Sequence, residues 1–78
     1  MIDEEKALED SLNRAMAQML KGARTKAGLT QQQLSDRYDI PLRSLQAWEG
    51  VKRIPPPYVI TLLLRCLALD FPEQAGRR

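Results

Sequence analysis

The side chains best suited to chemistry lie just after Pro41. If residues 41–49 are helical and Leu45 points inward, a turn of about 100° per residue puts Arg43, Gln46 and Ala47 on the opposite face. Leu42 and Ser44 flank that face, and Trp48 lies beside Leu45. An Arg fork can pair bidentately with guanine, a Gln amide with adenine, and a small apolar side chain can meet a thymine methyl. The set suits base reading in a major groove. Other chemistries lack their parts. There is no histidine and one cysteine, Cys66, so the common zinc ligand sets cannot be assembled and the usual general base is missing. No pair of carboxylates sits in a setting that suggests perturbed acid–base behaviour. No enzyme activity, metal or cofactor is expected.

The flanking residues supply the elements that must hold such a face. Thr30 with Gln33 three residues on is a capping box, in which a hydroxyl and an amide satisfy orphan backbone N–H groups. It predicts a short helix over 31–37, anchored by Leu34. Pro41 disfavours helical geometry at Ile40 yet suits the start of a new helix. The second helix is predicted over 41–49, with Leu45 and Trp48 on one side. Two short helices joined by a tight turn form the helix-turn-helix pattern.

The stretch GLTQQQLSDRYDIPLRSLQAWEG, with Arg24 before it and Lys52-Arg53 after it, resembles the Cro/repressor-type helix-turn-helix family of bacterial and phage DNA-binding proteins. The resemblance covers about residues 20 to 70. It implies an all-α fold, a small helical bundle containing the helix-turn-helix, here with an N-terminal helical extension. It implies that Gln31 touches a backbone phosphate and that Leu42, Arg43, Ser44, Gln46 and Ala47 form the reading surface. It also implies an ion pair between Arg24 and Glu49 that ties the preceding helix to the reading helix. The sequence departs from the family's pattern twice. Asp39 stands in the turn where glycine is favoured, though Asp tolerates a left-handed backbone. After Trp48-Glu49 the family has a residue and then glycine, whereas here Gly50 precedes Val51.

Outside this motif the chain is amphipathic at both ends. Residues 3–27 read as one long helix or two abutting ones, with Leu8, Leu12, Ala15 or Met16, Met19 and Ala23 as the apolar stripe. Acidic residues in its first turns favour the positive end of the helix dipole, and Gly28 is the expected left-handed stop. Lys52 and Arg53, in the loop after the reading helix, are placed to hold phosphate, which fixes register without reading sequence. Pro55-Pro56-Pro57 is an extended connector whose last member can start a helix over 57–69. One stripe of about 100° suffices to cover a small domain. Val59, Leu62, Leu63, Cys66 and Leu67 are assigned to it, Cys66 as a core thiol. Ile60, Leu64 and Phe71 are then surplus, an apolar patch of the kind that marks an interface. They are assigned to a homodimer contact.

Seventy-eight residues make one small domain with a marginal core. The division expected is an acidic amphipathic extension over 1–13, a helix-turn-helix DNA-binding domain over 14–71 and a flexible tail over 72–78. The extension can fold back on its own domain, join a dimer or capture another protein. Net charge of +2 hides an uneven distribution. Residues 1–13 hold five carboxylates against Lys6, a net −4, and the rest holds eleven basic and five acidic residues, a net +6. No apolar run approaches the roughly 18 residues of a membrane span, and no secretory signal is visible. A lone cysteine fits a reducing cytoplasm. The expected function is that of a sequence-specific regulator of transcription binding double-stranded DNA, a homodimer repressing from an inverted-repeat operator. An antitoxin using residues 1–13 against a toxin, and a protein–protein adaptor that has lost DNA binding, are the competing readings. An adaptor would have an emptied reading face, and Arg43 and Gln46 argue against it.

Overall fold

The computed structural model describes residues 4–72, and those residues form four helices and no strand. They are α1 (Glu4–Lys26), α2 (Gln31–Tyr38), α3 (Leu42–Glu49) and α4 (Pro57–Asp70). The tail beyond Pro72 and the first three residues, Asp3 included, lie outside the described residues. No described helix is long and apolar enough to cross a membrane.

Each boundary has a local cause. α1 runs without a break through residue 14, so the acidic extension and the domain share one helix, which ends before Gly28 at φ 78°. Thr30 caps α2: its hydroxyl accepts from Gln33 N at 3.0 Å, and its N–H donates to Gln33 Oε1 at 2.8 Å. α2 continues one residue past the expected end and stops at Asp39, which takes the left-handed conformation (φ 57°, ψ 42°). Buried Ser35 then staples the turn. Its carbonyl accepts from the N–H groups of Asp39 and Ile40, and its hydroxyl donates to the Ile40 carbonyl. α3 begins at Leu42, one residue later than expected, with Pro41 extended (φ −56°, ψ 130°) as its N-cap. Pro57 does open α4.

The core draws on every helix. Leu20, Leu34 and Leu45, one each from α1, α2 and α3, are completely buried, and α4 closes over them with Ile60, Leu63 and Leu67. The expected inward stripe of α4 is therefore corrected. Ile60, assigned to a dimer contact, is 4% exposed in the core, whereas Leu62, assigned to the core, is 56% exposed. Cys66, also assigned to the core, is only half-buried. A helix that is apolar nearly all round carries no phase in its pattern, so packing alone chooses the buried face. Leu64 and Phe71 are half-buried against the core.

Over residues 4–13 the extension does not fold back. Leu8 and Leu12 stay 66% and 64% exposed on the half of α1 that overhangs the core. At the other end, the chain closes through a polar cluster. The Tyr38 hydroxyl donates to Asp70, Arg37 Nε lies 3.5 Å from the same carboxylate, and the Arg37 guanidinium sits 4.8 Å from the Phe71 ring centre. Burial first, then the bond to Asp70, raises the Tyr38 hydroxyl above its usual pKa.

Candidate nucleic-acid interface

α3 is held from below and from behind. Leu45 anchors it in the core at 0% exposure, with half-buried Trp48 packed beside it. Behind it, Arg24 donates from Nε to Glu49 Oε2 at 2.8 Å, from Nη2 to Glu49 Oε1 at 2.9 Å and from Nη1 to the Leu29 carbonyl at 2.8 Å. The two side chains are 10% and 4% exposed. Glu49 Oε1 also accepts from Gln31 Nε2 at 3.1 Å. A bidentate guanidinium–carboxylate pair fixes orientation as well as distance. The last residue of α3 is thereby fastened to α1, to the loop before α2 and to the first residue of α2.

The outward face follows from that anchoring. Arg43 and Gln46 are exposed, one turn apart, while Leu42, Ser44 and Ala47 are half-buried around them. Lys52 and Arg53 are exposed in the loop that follows. Their backbone N–H groups both donate to the Ala47 carbonyl, at 2.8 and 3.2 Å, which turns this loop back against the end of α3. Gln31 is half-buried, and one amide hydrogen faces Glu49. A primary amide has a second hydrogen to donate. The three consecutive glutamines thus have three different partners, since Gln33 closes the cap and Gln32 donates to Asp36 at 2.9 Å. Ser35 was not picked out in the sequence, although its buried hydroxyl sets the turn that aims α3. Its only signal is a small hydroxyl residue four before the left-handed Asp39.

The inverted order of Gly50 and Val51 has a cost. Gly50 has an ordinary backbone (φ −86°) and Val51 carries the left-handed one (φ 59°). For a β-branched residue that conformation is an outlier, unfavourable by about 1 to 2 kcal/mol. Gly50 is not free to exchange roles, because a Cβ there would meet the Gln46 carbonyl oxygen at 3.1 Å. Val51 is 40% exposed and gives up little packing. Val51→Gly is therefore expected to raise stability by roughly 0.5 to 1 kcal/mol, the relief being partly offset by the freedom of glycine in the unfolded chain. Urea unfolding checks this, and a loss of stability would show that the loop is relaxed as it stands.

Among the described residues, no group of three or more His, Cys, Asp or Glu side chains could hold a metal ion. The arrangement brings donors, amides and cations together on the outward face of α3 and the loop after it. A family model described as helix-turn-helix matches residues 20–74, which take in the end of α1 and all of α2, α3 and α4. No curated protein and no solved structure matches the chain.

Proposed function

The chain belongs to the Cro/repressor-type helix-turn-helix family, and from that membership in a family of DNA-binding regulatory domains we propose a specific role. It is a sequence-reading transcriptional regulator of double-stranded DNA, a homodimer that represses by covering its promoter. One observation carries the reading. α3 presents Arg43 and Gln46 to solvent while Leu45 and Glu49 hold its opposite side fast. A face so furnished favours DNA over an adaptor role.

Arg43, Gln46 and Ala47 meet base edges, with Leu42 and Ser44 at the rim. Lys52 and Arg53 hold phosphate after α3, and the free amide hydrogen of Gln31 holds phosphate at the start of α2. Selection of bound duplexes from a random pool tests the whole reading. The expected product is an inverted repeat with half-sites about one helical turn, roughly 34 Å, apart. Retention of DNA without any enriched sequence would remove the reading role, and no retention at all would remove DNA binding.

Two substitutions separate reading from holding. Arg43→Ala should weaken the selected site by about 1 to 3 kcal/mol and relax preference at one position. A uniform loss across sequences would make Arg43 a phosphate contact. Replacing Lys52 and Arg53 together by alanine should flatten the slope of log affinity against log salt by roughly two units. Base preference should survive, and an unchanged slope would place both residues off the DNA.

A further inference from the structure

The overhanging half of α1 and the groove between α1 and α4 belong to one continuous strip. Leu8, Leu12, Ala15, Met19, Gly22 and Lys26 recur at alternating steps of four and three. At about 100° per residue they stay within about 40° of one line along the helix. This is the seam spacing by which two helices pack along their length. Leu8, Leu12 and Met19 are 66%, 64% and 51% exposed. Met19, Gly22 and Lys26 also form one wall of a groove of about 650 Å³, whose other wall includes Leu64, Ala68 and Phe71 of α4. Half of the strip thus lines a groove, and the other half projects as a ridge.

Charge selects the occupant and its direction. Residues 4–13 carry Glu4, Glu5, Glu9 and Asp10 against Lys6, a net −3. Residues 14–26 carry Arg14, Lys21, Arg24 and Lys26, a net +4, of which Arg24 is committed to Glu49. Two copies of α1 laid antiparallel set the acidic half of each beside the basic half of the other, with Lys26 as the cation in the groove itself. A parallel pair would set like charge on like. Gly22 adds room, since a Cβ there would meet nothing within 4 Å of its own chain.

We propose that two copies of this chain pair through antiparallel α1 helices, each acidic ridge seated in the α1–α4 groove of the other across a two-fold axis. Such an interface is self-complementary, the same patch serving both subunits. Leu12 of one copy lies over Met19 of the other, Leu8 over Gly22, and Glu5 beside Lys26. Ile60 has no part in it, while Leu64 and Phe71 contribute as the groove's far wall. The proposal rests on the homodimer named above and gives it a surface.

Mass measured by sedimentation across the micromolar range tests it. The wild type is expected to be a dimer, and Leu12→Glu and Gly22→Leu should each weaken it by about tenfold or more. Gly22→Leu fills open space and replaces the weakest helix former in α1. Retained helicity by circular dichroism then separates blocked pairing from misfolding. Direction is read by oxidising mixed Glu5→Cys and Lys26→Cys chains, both carrying Cys66→Ala. A disulfide between the two chain types is expected, and none in Glu5→Cys alone. A monomer at every concentration would leave the groove to this chain's own residues 73–78. A dimer indifferent to both substitutions would leave the ridge to a foreign protein. Either result overturns the proposal, as does cross-linking of Glu5→Cys to itself. DNA selection run on the same proteins keeps the two readings apart. A monomer that still selects a half-site sinks the pairing and the homodimer but leaves DNA reading standing, and a dimer that retains no DNA sinks only the regulator.

Discussion

Arg24→Ala is expected to leave little folded protein at ordinary temperature. It strands the Glu49 carboxylate, 4% exposed at its side chain, with Gln31 as its remaining donor, and it strips the Leu29 carbonyl of a partner. Two magnitudes compete here. An exposed ion pair is worth about 0 to 1 kcal/mol, whereas removing one partner of a buried pair destabilises by about 3 to 5 kcal/mol. Burial of both side chains puts this pair in the second class. Domains have only about 5 to 15 kcal/mol in hand, and one of this size sits toward the lower end. Glu49→Gln should be milder, since an amide oxygen still accepts one bond from Arg24. A double-mutant cycle with Arg24→Met and Glu49→Leu, read by urea unfolding, isolates the coupling. The double variant should recover part of what either single loses, because two apolar side chains leave no buried charge. Strictly additive losses would show that the pair is not coupled.

Leu45→Ala is the second large effect. Leu45 is wholly buried where α3 meets the core, and deletion of a buried leucine side chain to alanine costs about 2 to 5 kcal/mol, depending on how far the site collapses. Because it lies on the inward side of the reading helix, DNA affinity should fall further than the folded fraction does, as α3 loses its seat. Ile60→Ala should cost a similar amount, and Leu62→Ala on the exposed side of α4 about 0.5 kcal/mol or less. The reverse order for Ile60 and Leu62 would return α4 to the phase its sequence first suggests. Thermal melts of the three variants at one concentration are enough to decide.

The helix-turn-helix was legible because its signals are local. Thr30 and Gln33 are one turn apart, and Pro41 and Asp39 each limit the backbone of a single residue, so nothing distant can override them. Boundaries slipped by one residue where Tyr38 and Pro41 could go either way. α4 was not legible in the same manner. Tyr58, Leu62 and Leu69 are as apolar as the residues that face inward, and which of them is buried depends on the shape of α1 beneath. The Arg24–Glu49 contact joins residues 25 apart on two different helices, so no periodicity within one helix relates them and only a likeness to other proteins could point to it. The inverted Gly50-Val51 order was visible, but its left-handed valine is a property of the folded loop.

One mechanical consequence follows from the continuity of α1. With Arg24 clamped to Glu49 near its end, this helix and α3 turn as one body, a lever with the reading helix as its short arm. At about 1.5 Å per residue the 23 residues span about 34 Å. From Arg24 back to Glu4 the arm is about 30 Å, so a tilt of about 1° at the clamp sweeps the far end through about 0.5 Å. Whatever grips that free end sets the attitude of α3, and a groove that tolerates only small rotations of α3 tolerates only small displacements there. The spacing of two DNA half-sites then becomes a question of bending stiffness, and Gly22 is the softest point along the rod.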